Sequence, residues 1–216
     1  MNISILIPNH SDLRMKELVD SIDYQNDETH AVQLVIVLNN PTPQLEELTH
    51  CIQQEHRESF TFKIVRIDKC NLGAAYNAGI VHADYDQILF LDSDLICIPG
   101  AIQKMVDTMR VHQTPIVKGK VLFDSNNAAS RLTAHVRYVT TTDTKEPYIP
   151  VILMDKYLFR KLNDGYMFAV DTVWCSDADF SNRVMKKKIP IGYTDAFFRH
   201  PSITLRKDIK DAFYYG

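Results

Sequence analysis

No two of the four cysteines, Cys51, Cys70, Cys97 and Cys175, stand at C-x-x-C spacing. That excludes a zinc knuckle or a redox dithiol as the source of any chemistry. Cys97 lies in an apolar run and Cys175 beside Trp174, so both are expected to be buried in a reduced, cytosolic setting. No stretch of about 18 apolar residues occurs, so no membrane span is expected. The opening, MNISILIPNH, has no basic segment ahead of a long apolar one and does not read as a signal peptide. Positive charge is not in excess either, the formal net charge being −3. Nucleic acid as the main partner would want a basic surface, so none is expected. Internal repeats and low-complexity segments are also missing.

What is present is an ordinary globular composition, 45% hydrophobic and 24% charged over 216 residues. The length suits one domain, 1–216. Asn2 to Pro8 reads as a first strand, and Val32 to Leu38 as a second. A continuous apolar run of the second kind suits a strand buried on both faces of a parallel sheet. Between them Leu13, Leu18, Val19 and Ile22 suggest a helix with one apolar face. Further elements are expected as a helix from Gln44 to about His56, a strand from Phe62 to Ile67 and a helix from Asn71 to Val81. A strand from Gln87 to Leu91 and a helix from Pro99 to about His112 complete the regular part. This alternation predicts an α/β fold: a mostly parallel sheet with helices on both faces.

Beyond Thr114 the pattern loosens. Asp124 to Ser130 and Thr140 to Pro147 read as polar loops, Tyr148 to Phe159 is apolar again, and Ser176 to Lys188 reads as a helix. Residues 1–114 are therefore expected to bind a nucleotide, and 115–216 to form an irregular region for the second substrate.

Two motifs carry the chemistry. In FLDSDL, residues 90–95, a buried strand runs straight into Asp92, Ser93 and Asp94. Ligands of open parallel sheets sit at the carboxyl ends of strands. Two carboxylates there suit a hard divalent cation that also grips diphosphate oxygens. Taken alone, D-x-D also fits a capped turn. The other motif is NLGAAYNAGI, residues 71–80, where Gly73 and Gly79 bracket small residues on a helix. Tight packing explains Gly and Ala there, and Asn71 suits a helix cap. Asn77, in mid-helix, is a less favoured choice.

In this order and spacing the two motifs resemble the family 2 glycosyltransferases of the GT-A (Rossmann-like) fold. ISILIPNH resembles that family's first strand, CSDADFSNRV (175–184) its acidic motif, and His200 its late metal-binding histidine. The resemblance implies a metal-dependent, inverting transfer from a nucleoside-diphosphate sugar, with a UDP-sugar expected, to a glycan or lipid-linked acceptor. It places Asp177 as general base and Asp92, Asp94 and His200 around Mn²⁺ or Mg²⁺. Pro8, Asn9, Asn39, Asn40, Asn71, Gly73, Asn77, Ser93 and Arg206 fall on the donor. Asp179 would sit near Asp177, with Arg183 paired to one of them, and Lys207 joins Arg206 as a candidate for the diphosphate.

Three positions depart from the family pattern. Asn39 or Asn40 stands where an Asp usually contacts the base, Ser176 replaces a Glu before Asp177, and Tyr76 replaces an Arg. An amide both donates and accepts, so it can still read a uracil-type edge. Two other readings stay open: a non-catalytic sugar-nucleotide-binding subunit of the same fold, and a phosphate-handling nucleotidyltransferase or phosphatase. Lys118, Lys120, Arg131, His135 and Arg137 make the second half locally basic, which suits either an anionic acceptor or a solvated face. Phe213, Tyr214 and Tyr215 suit packing or a membrane surface. Peripheral attachment to the inner face of a membrane is allowed and not required.

Overall fold

The computed structural model describes residues 1–24, 30–68, 71–162, 166–171 and 176–215, with the backbone alone for Phe159 and residues 211–215. Every residue of β1 (Ile3–Asn9) is buried, and so is every residue of β2 (Val32–Asn39). Their unbroken apolar runs are what a strand covered on both faces requires. The helix α1 (Met15–Asp20) joins them. Next comes α2 (Pro43–Glu55), where Thr42 accepts from the Leu45 amide and Pro43 opens the first turn. β3 (Thr61–Ile67) leads to α3 (Leu72–His82), capped by Asn71, and then to β4 (Gln87–Phe90). The chain continues through β5 (Ile96–Cys97), α4 (Ala101–His112), β6 (Ile116–Phe123), α5 (Ala128–Arg137) and a π-helical turn, Tyr138–Thr142. β7 (Ile152–Asp155), α6 (Leu158–Leu162), α7 (Ser176–Lys186), β8 (Ile191–His200) and α8 (Leu205–Tyr215) complete it.

The strands form one sheet in the order β3-β2-β1-β4-β7-β6-β8-β5. β3, β2, β1 and β4 are mutually parallel. β7 runs antiparallel to both β4 and β6, β6 is parallel to β8, and β5 is antiparallel to β8. The sheet is thus mostly parallel, with β7 and β5 reversed. Alternate side chains feed two cores. Ile3, Ile5 and Ile7 pack with Met15, Leu45, Ile102 and Met105 from α1, α2 and α4. On the opposite face Leu6, Val35 and Val37 pack with Tyr76, Leu158, Phe180 and Val184 from α3, α6 and α7.

Some expectations need correction. Leu13 is exposed and precedes α1, so it does not belong to the apolar face of that helix. Ser130 lies inside α5, where it completes a reciprocal cap with Asn127, so the polar stretch 124–130 ends in a helix. The second half is also more regular than its sequence suggests, since β6, β8 and α8 are continuous elements. The burial expected of Cys175 beside Trp174 falls outside the described residues, as do the side chains of Phe213, Tyr214 and Tyr215.

Candidate active site

The parallel strands β1, β2 and β4 end on the same edge of the sheet, so Asn9, Asn39 and Asp92 emerge together. Leu91 extends the pairing of β4 by donating its amide to Leu6, and the chain leaves the sheet at Asp92. The antiparallel pairing of β5 with β8 then does something the sequence order hides. With Ile96 opposite Arg199, the end of β8 folds back over the Asp92–Asp94 turn. His200 Nε2 lies 3.3 Å from Asp94 Oδ2. Its Nδ1–H donates to the Pro201 carbonyl at 2.7 Å, and the ring lies against Phe123, centroids 5.1 Å apart. A neutral ring held this way keeps the Nε2 lone pair for a cation.

A cavity of about 440 Å³ opens at this edge. Asp92, Asp177, His200 and Lys207 line it, together with Tyr76 and Tyr148. Burial pushes Asp92 up to about 7, the charges of Asp94 and Asp177 push the same way, and a hydrogen bond donated by Tyr76 opposes them. Burial also raises Asp177, against its backbone hydrogen bonds, including the Ala178 amide at 2.9 Å. Asp92 and Asp94 with the His200 imidazole offer two carboxylates and one nitrogen, hard donors of the type Mn²⁺ or Mg²⁺ takes, and the charges of Asp94 and Asp177 on Asp92 are ones a divalent cation would relieve. Their ligating atoms do not all gather within 4.8 Å of one another, as those of one other group among the described residues do.

Other groups compete for the same atoms. Arg14, just ahead of α1, donates to Asp94 Oδ2 at 3.0 Å and forks onto Asp12, whose carboxyl is held low against its burial by Arg14 and by the charge of Lys207. Sequence reasoning missed Arg14, since it stands 80 residues from Asp94 and belongs to no motif. A separate trio, Asp20, Glu55 and His56, brings ligating atoms within 4.8 Å of one another. The Lys16 ammonium already stands there, 3.0 Å from Asp20 and 2.6 Å from Glu55, so this is an ion-pair knot at the ends of α1 and α2.

The remaining expected residues divide between site and scaffold. Asn9 is buried, bonding the Asp12 carbonyl and accepting from the Asp12 amide, each at 2.8 Å, so it shapes the loop after β1. Pro8 is buried within β1. Asn39 is buried, its Nδ2 reaching the Asn71 carbonyl at 3.5 Å while its Oδ1 has no partner among the described residues. Asn40 follows with φ of 51°. Asn71 caps α3 and bonds the Val170 carbonyl. Asn77 makes two bonds to the backbone of Phe168, at 2.7 and 3.1 Å. A Cβ at Gly73 would stand 2.1 Å from the Ala169 carbonyl oxygen. The α3 motif therefore grips residues 168–170. Ser93 lies at the turn between the two aspartates, half-buried. Arg206, expected at the donor, is exposed and outside the cavity lining; Lys207 reaches it instead, one position further along α8. Asp179 pairs with Arg183 at 2.9 Å and stays out of the lining.

Tyr76 gains a role the sequence did not assign. It is fully buried, with ring centroids 5.5 Å from Phe90 and 4.9 Å from Phe168, and Phe168 in turn lies 5.0 Å from Phe180. This aromatic cluster joins β4, α3 and α7 and points the Tyr76 hydroxyl at Asp92. Such ring pairs contribute roughly 0.5–1.5 kcal/mol each beyond area burial.

Comparison with known proteins agrees with this fold. A glycosyltransferase of Haemophilus influenzae, described as uncharacterized, is 30% identical over 107 residues, covering 49% of this chain and 38% of that protein. The crystal structure of S. aureus TarS 1-349 superposes with a TM-score of 0.69 at 16% identity, covering 93% of this chain and 60% of that one. The same TarS fragment in complex with UDP-GlcNAc also gives 0.69 at 16% identity, covering 94% and 59%. This chain therefore spans less than two thirds of the length of each of these relatives. Residues 4–189 match the family described as Glycosyl transferase family 2, and this chain belongs to that family.

Proposed function

We propose that the chain catalyses inverting transfer of a sugar from a nucleoside diphosphate, UDP being the preferred carrier, to a hydroxyl of a glycan or lipid-linked acceptor. Residues 1–114 would hold the donor and 115–216 the acceptor. The observation that carries this reading is the meeting of Asp92, Asp177 and His200 in one cavity at the carboxyl ends of parallel strands, with Asp94 against His200. Asp94, His200 and Asp92 would hold Mn²⁺ or Mg²⁺, which when bound neutralises the diphosphate as it leaves. Lys207 adds a second positive charge on that side.

Asp177 acts as the base. The acceptor oxygen attacks the anomeric carbon, the bond from that carbon to the diphosphate oxygen breaks, and the acceptor proton passes to the Asp177 carboxylate. Its raised pKa makes it a stronger base than an exposed carboxylate. Asn39 is placed for the base of the donor, since its free Oδ1 can accept from a uracil imide N–H once the amide turns from its single long bond. The TarS complex with UDP-GlcNAc supports a UDP-sugar as donor.

Calorimetry of the chain against UDP, dTDP, GDP and CDP, with and without Mn²⁺, tests the reading. Metal-dependent binding of UDP above the others is expected. Absence of binding to all four, in a folded sample, would overturn it.

A further inference from the structure

The helix α5 is built inside out. Its inward residues are polar: Ser130 and Thr133 are buried, and Arg137 pairs with Asp208 of α8. Its outward residues include Leu132, 58% exposed, and Val136, 47% exposed, followed by Val139 on the next turn. Arg131 and His135 are exposed beside them. Spacings of three and four put all five on one face. On α8, tied to α5 through Arg137 and Asp208, Leu205 and Ile209 are exposed one turn apart. An apolar stripe turned to water marks a surface that something covers.

Charge indicates what covers it. Arg131, Arg206 and Lys210 are exposed, and none has an ion-pair partner among the described residues. They stand out on a chain whose formal net charge is −3. A second copy docked on the same face would bring these cations against one another, which disfavours a twofold pair. Aliphatic side chains flanked by uncompensated Arg and Lys are what an anionic bilayer takes up at its headgroup boundary. We infer that the outer face of α5 and α8 docks on an anionic lipid surface. The inner side of the same segment lines the cavity, through Arg137, Thr140 and Thr141. Docking there sets the cavity beside the bilayer, where an acceptor carried on a lipid is presented. That last step rests on the proposed transfer, whereas the docking itself does not.

Cosedimentation of the whole chain with vesicles tests this, using phosphatidylcholine alone or mixed with phosphatidylglycerol, at low and high salt. Binding to the mixed vesicles at low salt is expected, with little binding to phosphatidylcholine alone. The Leu132→Gln/Val136→Gln variant should bind on the order of tenfold more weakly. Arg131→Gln/Lys210→Gln should reduce the preference for the anionic vesicles by about thirtyfold. The two variants act through different side chains, and their melting temperatures, expected within about 2 °C of the parent for surface changes, show that they fold. UDP binding by calorimetry on the same samples should match the parent, which separates failure of docking from failure of the transferase reading. A parent chain that ignores anionic vesicles, or variants that bind like the parent, would overturn the inference. So would a parent dimer that Leu132→Gln/Val136→Gln converts to monomer, since the face would then belong to a protein.

Discussion

Asp92 is the residue on which opposing effects meet. Burial and two neighbouring carboxylates favour its protonated form, while only Tyr76 favours the charged one. Replacing Tyr76 by Phe keeps the aromatic cluster and deletes the donor. A hydrogen bond worth ~1–1.5 kcal/mol corresponds to about one pKa unit, so Asp92 should titrate about a unit higher. The acid limb of kcat/KM at fixed Mn²⁺ should follow it, and an unmoved limb would show that Tyr76 does not tune this carboxylate. The same raised pKa has a stability consequence. Between the ordinary 3.8 and about 7, the folded metal-free protein keeps a proton that the unfolded chain has released. Its stability therefore falls as pH rises through that window. Asp92→Asn removes this cost, so its melting temperature should decline less with pH than that of the parent. Arg14 is the other residue to test. It donates to Asp94, one of the carboxylates proposed to hold the metal. Arg14→Ala should lower the Mn²⁺ concentration needed for half-saturation by about fivefold, equivalent to ~1 kcal/mol, as read by direct Mn²⁺ titration without donor.

Among the elements, α3 shows how a sequence motif can be legible while its job is not. Its small residues and two asparagines were visible, yet both asparagines spend their amides on the backbone of residues 168–170, about 90 positions away. Asn77→Ala would leave the Phe168 amide and carbonyl without partners and should cost ~2 kcal/mol of stability. Gly73→Ala should be worse for activity, because the added Cβ meets a carbonyl oxygen at 2.1 Å and Ser176, next to Asp177, at 3.1 Å. Equal thermal stability of Asn77→Ala and parent would refute the clamp. β1, β2 and β4 were readable because burial on both faces leaves an unbroken apolar run. β6 was not, because Lys118 and Lys120 interrupt it. Lys118 is in fact buried, its ammonium donating to the Thr144 carbonyl at 2.6 Å and its pKa pushed down to about 8 by that burial. Lys120 pairs with Asp195, so these two are not part of a free basic surface. α5 was hidden for the opposite reason: its apolar stripe faces outward, against the usual rule.

For the molecule as a whole, the site joins two halves that the sequence lists far apart. Asp92 and Asp94 follow the parallel half, whose order is dictated by short βα connections. His200 and Lys207 arrive from the far end of the chain by the antiparallel β5–β8 pairing, a two-residue strand with no hydrophobic pattern of its own. The motif residues, and Lys207 beside Arg206, could thus be named from sequence, while Arg14 and the role of Tyr76 needed the fold. This division predicts that binding and turnover can be separated. Ligand at a hundred times its Kd stabilises a protein by ~2.7 kcal/mol, which for this length is about 5–10 °C in Tm. UDP with Mn²⁺ should raise the parent by that amount. His200→Ala should lose the increment that depends on Mn²⁺, because Asp94 is left without its imidazole partner. Asp177→Asn should keep the full shift, since the side chain is not placed on the metal or the diphosphate, and should lose at least ~10²-fold in turnover, the usual contribution of a positioned base. Thermal shift and product formation on the same three proteins check both statements. If Asp177→Asn lost the shift as well, Asp177 would belong to donor binding and the base would have to be sought elsewhere in the cavity.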